Sequence, residues 1–282
     1  MNIDAISIIG KSRYEHITSM LHAISKISSM NGLEFEITLK DLTLLDSLDL
    51  IKIDYEDRII YDITNDASTD VVAIPHDELL VVGVPVYAGR VPAMAVERLR
   101  RFKGDKTPAV VVAVYGNRHY DDAVLELHDL MTECGFRTVS AGAFIAQHSI
   151  FPKVGAARPD GEDMADIKRF AEKSAAMIAK GFGDISLPGN RPYKVPGGIP
   201  IWPTASKRCN GCGACARRCP TGAIDPASPK GVDKTKCIKC GRCIVVCTTK
   251  ARRFYGIHYS RAAARFNSTF TARRSNEVWF AE

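Results

Sequence analysis

Cys209-Asn210-Gly211-Cys212-Gly213-Ala214-Cys215-Ala216-Arg217-Arg218-Cys219-Pro220 spaces four cysteines by two, two and three residues, and Cys237-Ile238-Lys239-Cys240-Gly241-Arg242-Cys243-Ile244-Val245-Val246-Cys247 repeats the spacing 28 residues later. Two such runs are what a pair of [4Fe–4S] clusters requires, each iron taking one thiolate. Three closely spaced cysteines wrap one side of a cluster, after which the chain turns away, so the fourth ligand comes from the other run. The expected sets are Cys209, Cys212, Cys215 with Cys247, and Cys237, Cys240, Cys243 with Cys219. Zinc commonly takes two CxxC pairs on separate turns. A disulfide framework belongs to oxidising compartments and short secreted chains. Gly211, Gly213 and Gly241 are expected to take unusual φ so that the backbone passes close to inorganic sulfide. Thr248 replaces the proline that closes the first run, which should loosen a turn without removing a ligand.

Eight of the nine cysteines belong to these runs. The ninth, Cys134, precedes Gly135 at the end of a predicted helix and reads as a buried spectator. The net charge of +6 conceals a split. Residues 1–206 hold 22 Lys+Arg against 28 Asp+Glu, and residues 207–282 hold 16 against 4. Cations near anionic clusters offset their charge. The excess, including Arg252, Arg253, Arg261, Arg265, Arg273 and Arg274, reads as a face for an acidic redox partner or for the acidic first half, or as a solvated surface, rather than a nucleic-acid site. The amino terminus lacks the charged and apolar regions of a signal peptide, and no apolar run approaches the length of a membrane span, so the expected location is cytoplasmic.

Ahead of the cysteines the chain alternates strands and helices. Leu79–Val84 and Ala109–Val114 are short valine-rich runs, the pattern of strands buried on both faces. Pro92 opens a helix predicted to reach Phe102, and Asp121-Asp122 starts another that Gly135 ends. Thr138–Ile145 reads as a strand, and Asp160 caps a helix to about Lys180. This is the order of a parallel sheet covered on both faces. Asn31–Asp70, including the alternating Leu33–Leu39, should hold one more strand. Residues 184–206 are rich in proline and glycine and form an irregular connector. The expected division is thus 1–183, a connector at 184–206, and a cysteine domain with a basic tail at 207–282.

Ligands of open α/β sheets bind at the carboxyl ends of the strands. Two loops leave such ends, Pro85–Pro92 and Tyr115–Tyr120. PVYAGRVP, VYGNRHYDDAVLELHDLMTECGF, AGAFIAQHS, LPGNRPYK and the two cysteine runs together resemble the flavodoxin-like/ferredoxin fusion proteins of anaerobes, over roughly residues 79–255. The resemblance implies an α/β, flavodoxin-like doubly wound parallel sheet followed by a small α+β bacterial-type ferredoxin domain with two [4Fe–4S] clusters. It also implies loops able to hold FMN: Pro85, Tyr87, Ala88 and Gly89 on one side, Gly116, Asn117 and Tyr120 on the other, with Tyr120 stacking on the ring. Ser7, Gly10 and Ser12 match a phosphate-binding loop, whereas Ile8 and Ile9 depart from it, because β-branched residues resist positive φ and supply no hydroxyl. An FMN-loaded domain and an empty scaffold both stay open. His119 beside that site reads either as a proton donor to a flavin or as a solvated loop residue. The expected function is electron transfer between redox partner proteins. The alternatives are an FMN-dependent reductase fed by the clusters and a ferredoxin with a flavin-free docking domain.

Overall fold

The computed structural model describes residues 5–8, 52–55, 58–65 and 68–282. Strands β1 (Ala5–Ile8), β2 (Lys52–Tyr55), β3 (Arg58–Asp62), β5 (Leu80–Pro85), β7 (Thr107–Tyr115), β8 (Phe136–Ile145) and β11 (Glu277–Phe280) form one sheet in the order β11-β8-β7-β5-β1-β3-β2. β3, β1, β5, β7 and β8 are mutually parallel, and β2 and β11 add antiparallel edges. Numbered by chain order, the parallel strands run 2-1-3-4-5, the flavodoxin-like doubly wound order. The switch point lies between β1 and β5.

Every residue of β5 and β7 is buried, because both faces of the sheet are covered. Alternation divides their side chains between two cores. Leu80, Val82, Val84, Val111 and Ala113 pack with α1 (Ala93–Leu99) and α2 (Ala123–Glu133) on one face. Val81, Val110, Val112 and Val114 pack with α3 (Gly161–Lys180) on the other. Asp160 caps α3 in a capping box with Asp163, satisfying amides that a helix start leaves unpaired. α1 ends at Leu99, short of the expected Phe102. Phe102 instead begins β6 (Phe102–Gly104), which pairs with β4 (Val72–Ile74) and buries the ring completely. Among the described residues between Asn31 and Asp70, where one strand was expected, lies the antiparallel pair β2 and β3. Leu33–Leu39 lies outside the described residues. Cys134 is buried as expected, and burial pushes its thiol up.

The cysteine runs form a smaller unit with the short helices α4 (Ala214–Arg217) and α5 (Arg242–Val245) and a two-stranded sheet of β9 (Thr204–Ala205) and β10 (Arg252–Arg253). The chain then returns to the first domain, a path that the division at residue 207 does not anticipate. Tyr259 and Phe266 of helix α6 (Ile257–Thr269), with Phe270 just beyond its end, pack against Phe151 and Phe254, and β11 extends the large sheet by pairing with β8. Trp279 and Phe280 join the cores on its two faces. The connector is likewise held down: Asp122 accepts from the amides of Asn190 and Lys194 at 2.9 and 2.6 Å, and Asp129 accepts from Arg191 and Tyr193. Apolar packing and strand pairing therefore join the two units, beyond the charge attraction that their composition suggests.

Candidate redox centre and adjoining cavity

The 28-residue repeat is visible in the backbone. Gly213 and Gly241 sit at φ 72° and 79° immediately before α4 and α5, and Gly211 takes φ 75°. The counterpart of Gly211 is Lys239 at φ 59°, and Lys250 at φ 50° matches Gly222 at 62°. Two lysines therefore hold a left-handed conformation that favours glycine, something their residue type did not signal. The fourth cysteine of each run receives equivalent hydrogen bonds. The amide of Ala223 donates to Cys219 Sγ at 3.2 Å, and that of Ala251 to Cys247 Sγ at 3.3 Å. The Thr221 and Thr249 hydroxyls lie 3.7 and 3.6 Å from the same sulfurs. Hydrogen bonds to sulfur are among the factors that set cluster potential.

Cys219, Cys237, Cys240 and Cys243 line one small cavity, which brings the last cysteine of the first run to the first three of the second. Burial pushes the thiols of Cys240 and Cys243 up to about 12. Among the described residues no three His, Cys, Asp or Glu side chains are grouped closely enough for a single metal ion. A cubane meets each thiolate at a different iron. Two arginines are buried in the same unit. Arg252 donates to the carbonyls of Pro203 and Gly231 at 2.9 Å and to that of Pro229, and desolvation lowers the Arg242 guanidinium to about 10. Buried cations suit a site whose ligated cluster carries negative charge. The residues present fit iron–sulfur clusters.

A second cavity, of about 850 Å³, opens at the carboxyl end of the large sheet. This lies in the range of small-molecule sites. Its walls come from the loops after β5, β7 and β8, from the connector, from α6, and from Cys237-Ile238-Lys239 of the cysteine unit. Tyr87, Ala88 and Gly89 line it, held in a tight turn in which Tyr87 and Arg90 exchange backbone hydrogen bonds of 3.0 and 3.2 Å. Ala88 and Gly89 take φ 54° and 85°. The turn is clamped by Arg90, whose guanidinium makes two 2.7 Å bonds to the Glu126 carboxylate and donates to Lys194 O at 2.7 Å. Glu126 also accepts from the Val91 amide at 2.9 Å. Gly116 lines the cavity as well, and a Cβ there would come within 2.8 Å of the Cα of His148, so only glycine allows the approach.

Three of the expected flavin contacts lie elsewhere. Tyr120 does not line the cavity but is buried between Tyr115 and Trp279, its hydroxyl donating to Glu277 at 2.7 Å. The returning β11 supplies that partner, so the ring is used in packing. Asn117 is buried at φ 58° and donates to the carbonyls of Phe270 and Ala272 at 2.7 and 2.8 Å, fastening the carboxyl-terminal segment. Pro85 is the buried end of β5. Ser7 lies within β1, paired in register with Tyr61 and Val82, and Ile8 ends that strand. Gly10, Ser12 and Ile9 lie outside the described residues.

The sequence reading missed the wall opposite Tyr87. His148 is wedged against Phe151 and Phe266, and its Nδ1 accepts from the amides of Ile150 and Phe151 at 3.1 and 3.3 Å. Its proton therefore resides on Nε2. Burial, with a smaller contribution from Arg118, lowers its pKa to about 4 and keeps the ring neutral. His119 also lines the cavity, its Nδ1 accepting from the Asp121 amide at 2.8 Å. Tyr87 with Ile150, Phe266 and Phe270 makes an apolar and aromatic lining that fits a planar ring system. Nothing local in the sequence announces that α6, more than 100 residues further along, closes over the loop after β8.

Residues 208–251 match the 4Fe-4S dicluster domain. No curated protein matches the chain. Among solved structures it is similar to the flavodiiron core Flv1 of Synechocystis sp. PCC6803 (11% identity, 64% of this chain, 37% of that one, TM-score 0.39). It is similar also to rubredoxin oxygen:oxidoreductase of Desulfovibrio gigas (11% identity, 64% of this chain, 37% of that one, TM-score 0.38). A third is the Fusobacterium nucleatum flavodoxin bound to flavin mononucleotide (10% identity, 64% of this chain, 98% of that one, TM-score 0.37). The chain thus spans little more than a third of the first two. The likenesses are too distant to add to the strand order described above. That order and the cysteine unit define the class: a flavodoxin-like α/β domain joined to a 4Fe-4S dicluster domain. Among the described residues no helix is long and apolar enough to cross a membrane.

Proposed function

We propose that this chain is an electron-transfer protein that passes single electrons between two [4Fe–4S] clusters and a flavin, FMN, at the carboxyl end of the large sheet. The observation that carries the reading is the position of Cys237 and Ile238, which border both the cysteine cavity and the large cavity. One stretch of backbone separates the two sites. When bound, the clusters supply one-electron steps and the flavin supplies both one- and two-electron chemistry. The chain's own residues hold and isolate these groups. Cys219 with Cys237, Cys240 and Cys243 would hold one cluster, and Cys209, Cys212, Cys215 and Cys247 the other. The Arg90–Glu126 clamp keeps the Tyr87–Gly89 turn against the cavity, and His148 offers a neutral Nε2–H donor in its wall.

Exposed Lys207, Arg208, Arg217, Lys234 and Lys236 on the cysteine unit support docking of an acidic redox protein. Free thiolates and clusters favour the reducing cytoplasm. A second reading, a flavin-dependent reductase fed by the clusters, is favoured by the volume and open mouth of the cavity. Anaerobic purification with iron, sulfide and flavin analysis tests the proposal. About eight irons per chain are expected from two cubanes, together with one extractable flavin or stoichiometric uptake of added FMN. Four irons or fewer would refute the dicluster assignment, and failure to take FMN would leave the docking-domain alternative.

A further inference from the structure

The cationic side chains around the large cavity differ in how they are used. Arg118 and Lys194 both contact the Asp121 carboxylate, and Lys239 donates to the carbonyl of Ile199 at 2.7 Å. Arg261 and Arg265 also line the cavity, exposed at its mouth, and among the described residues neither has a carboxylate partner. They stand one turn apart on α6, a helix without Asp or Glu, whose other side carries the Tyr259, Ala262, Ala263 and Phe266 packing surface. Like charges at this spacing repel and destabilise a helix. Among the described residues no Asp or Glu lines the cavity to offset them.

Their place in the fold separates them from the phosphate of a flavin nucleotide. α6 packs on Phe151, in the loop beyond β8. The order β8-β7-β5-β1 puts three strand spacings, roughly 14 Å at about 4.8 Å each, between β8 and the end of β1 where the phosphate loop was expected. The pair therefore addresses a different group. Guanidinium forks match carboxylate and phosphate oxygens in bidentate geometry.

We propose that Arg261 and Arg265 form an oxyanion-binding site at the mouth of the cavity, which takes the carboxylate or phosphate group of a small molecule entering beside the redox centre. The inference deepens the reading of this cavity as the place where electrons leave or enter the protein, and it rests on that reading for its role in electron transfer. Binding itself is tested without flavin.

The experiment is calorimetric titration of the full chain, purified anaerobically, with inorganic phosphate and separately with succinate at low ionic strength. The comparison is between wild type, an Arg261→Gln/Arg265→Gln double variant, and Lys180→Gln as a control at the exposed end of α3, away from the cavity and from the basic face of the cysteine unit. At least one probe should bind the wild type, at least tenfold more weakly the double variant, and unchanged the control. Binding of phosphate alone assigns a phosphorylated ligand and binding of succinate alone a carboxylate. Absence of binding by both probes, equal binding by the double variant, or equal weakening in the control would overturn the site. Should the double variant fail to fold, the Arg261→Lys/Arg265→Lys pair is read in its place, with severalfold weakening expected from loss of the fork and unchanged binding overturning the site. Flavin content is measured on the same samples, so failure of the flavin reading and failure of the oxyanion site are separate results.

Discussion

Lowering the pH should destabilise the first domain through His148, by an amount that its surroundings set. Its Nδ1 is occupied by two backbone amides, its ring is packed against Phe151 and Phe266, and its pKa is lowered to about 4 by burial first and Arg118 second. An unfolded histidine titrates near 6.5, so as pH falls through that value the unfolded chain takes up a proton that the folded site refuses. The stabilisation is complete above about pH 6.5 and is lost progressively towards pH 4. The whole effect is about 3 kcal/mol, of which about 1 kcal/mol is lost between pH 7.5 and 5.5. His119 and His128 are also lowered, burial leading in both, so the wild-type protein will lose more than this single contribution. The difference from a His148→Gln variant isolates it. Urea unfolding followed by far-UV circular dichroism should show a shallower pH dependence in the variant by about 1 kcal/mol over this interval. An identical dependence in both proteins would mean that His148 is solvated or protonated in the folded state, and the account of a neutral cavity wall would fall.

Cys219→Ser should impair the cluster held by Cys237, Cys240 and Cys243 and spare its neighbour, because Cys219 shares their cavity; cluster-resolved EPR showing loss of the other cluster alone would reverse the pairing. Tyr120→Phe removes a hydroxyl that donates to Glu277 and should cost about 1.5–3 kcal/mol of stability while leaving FMN affinity within twofold. A large loss of affinity with unchanged stability would restore the ring to the flavin site. Raising salt from 0.1 to 1 M shortens the Debye length from about 10 to 3 Å, yet small-angle scattering should stay constant, since the Phe151–Phe254 apolar cluster and the pairing of β11 with β8 join the two units. Expansion with salt would show that charge holds them.

Local chemistry made the cysteine unit legible from sequence. Thiolate ligands must recur at short spacings, and the turns between them need positive φ, so Cys209–Cys219, Cys237–Cys247, Gly213 and Gly241 announce themselves without reference to distant residues. The parallel sheet was legible for a similar reason, since strands buried on both faces favour apolar side chains throughout, and Leu79–Val84 and Ala109–Val114 are valine-rich apolar runs. Capping of α3 by Asp160 is a local rule of the same kind. Tertiary structure alone decided what surrounds the cavity. The loops after β5 and β7 were identified, but the partners of their side chains come from residues 126, 148 and 190–282, and no periodicity records such distances. Tyr120 shows the consequence: a tyrosine in a sheet-end loop can meet a flavin or a carboxylate, and the return of β11 with Glu277 selected the carboxylate. Arg261 and Arg265 stood in the sequence only as part of a basic tail. The packing of α6 on Phe151 turned that solvated charge into the mouth of a cavity, because the direction a helix presents its side chains depends on what covers its apolar face.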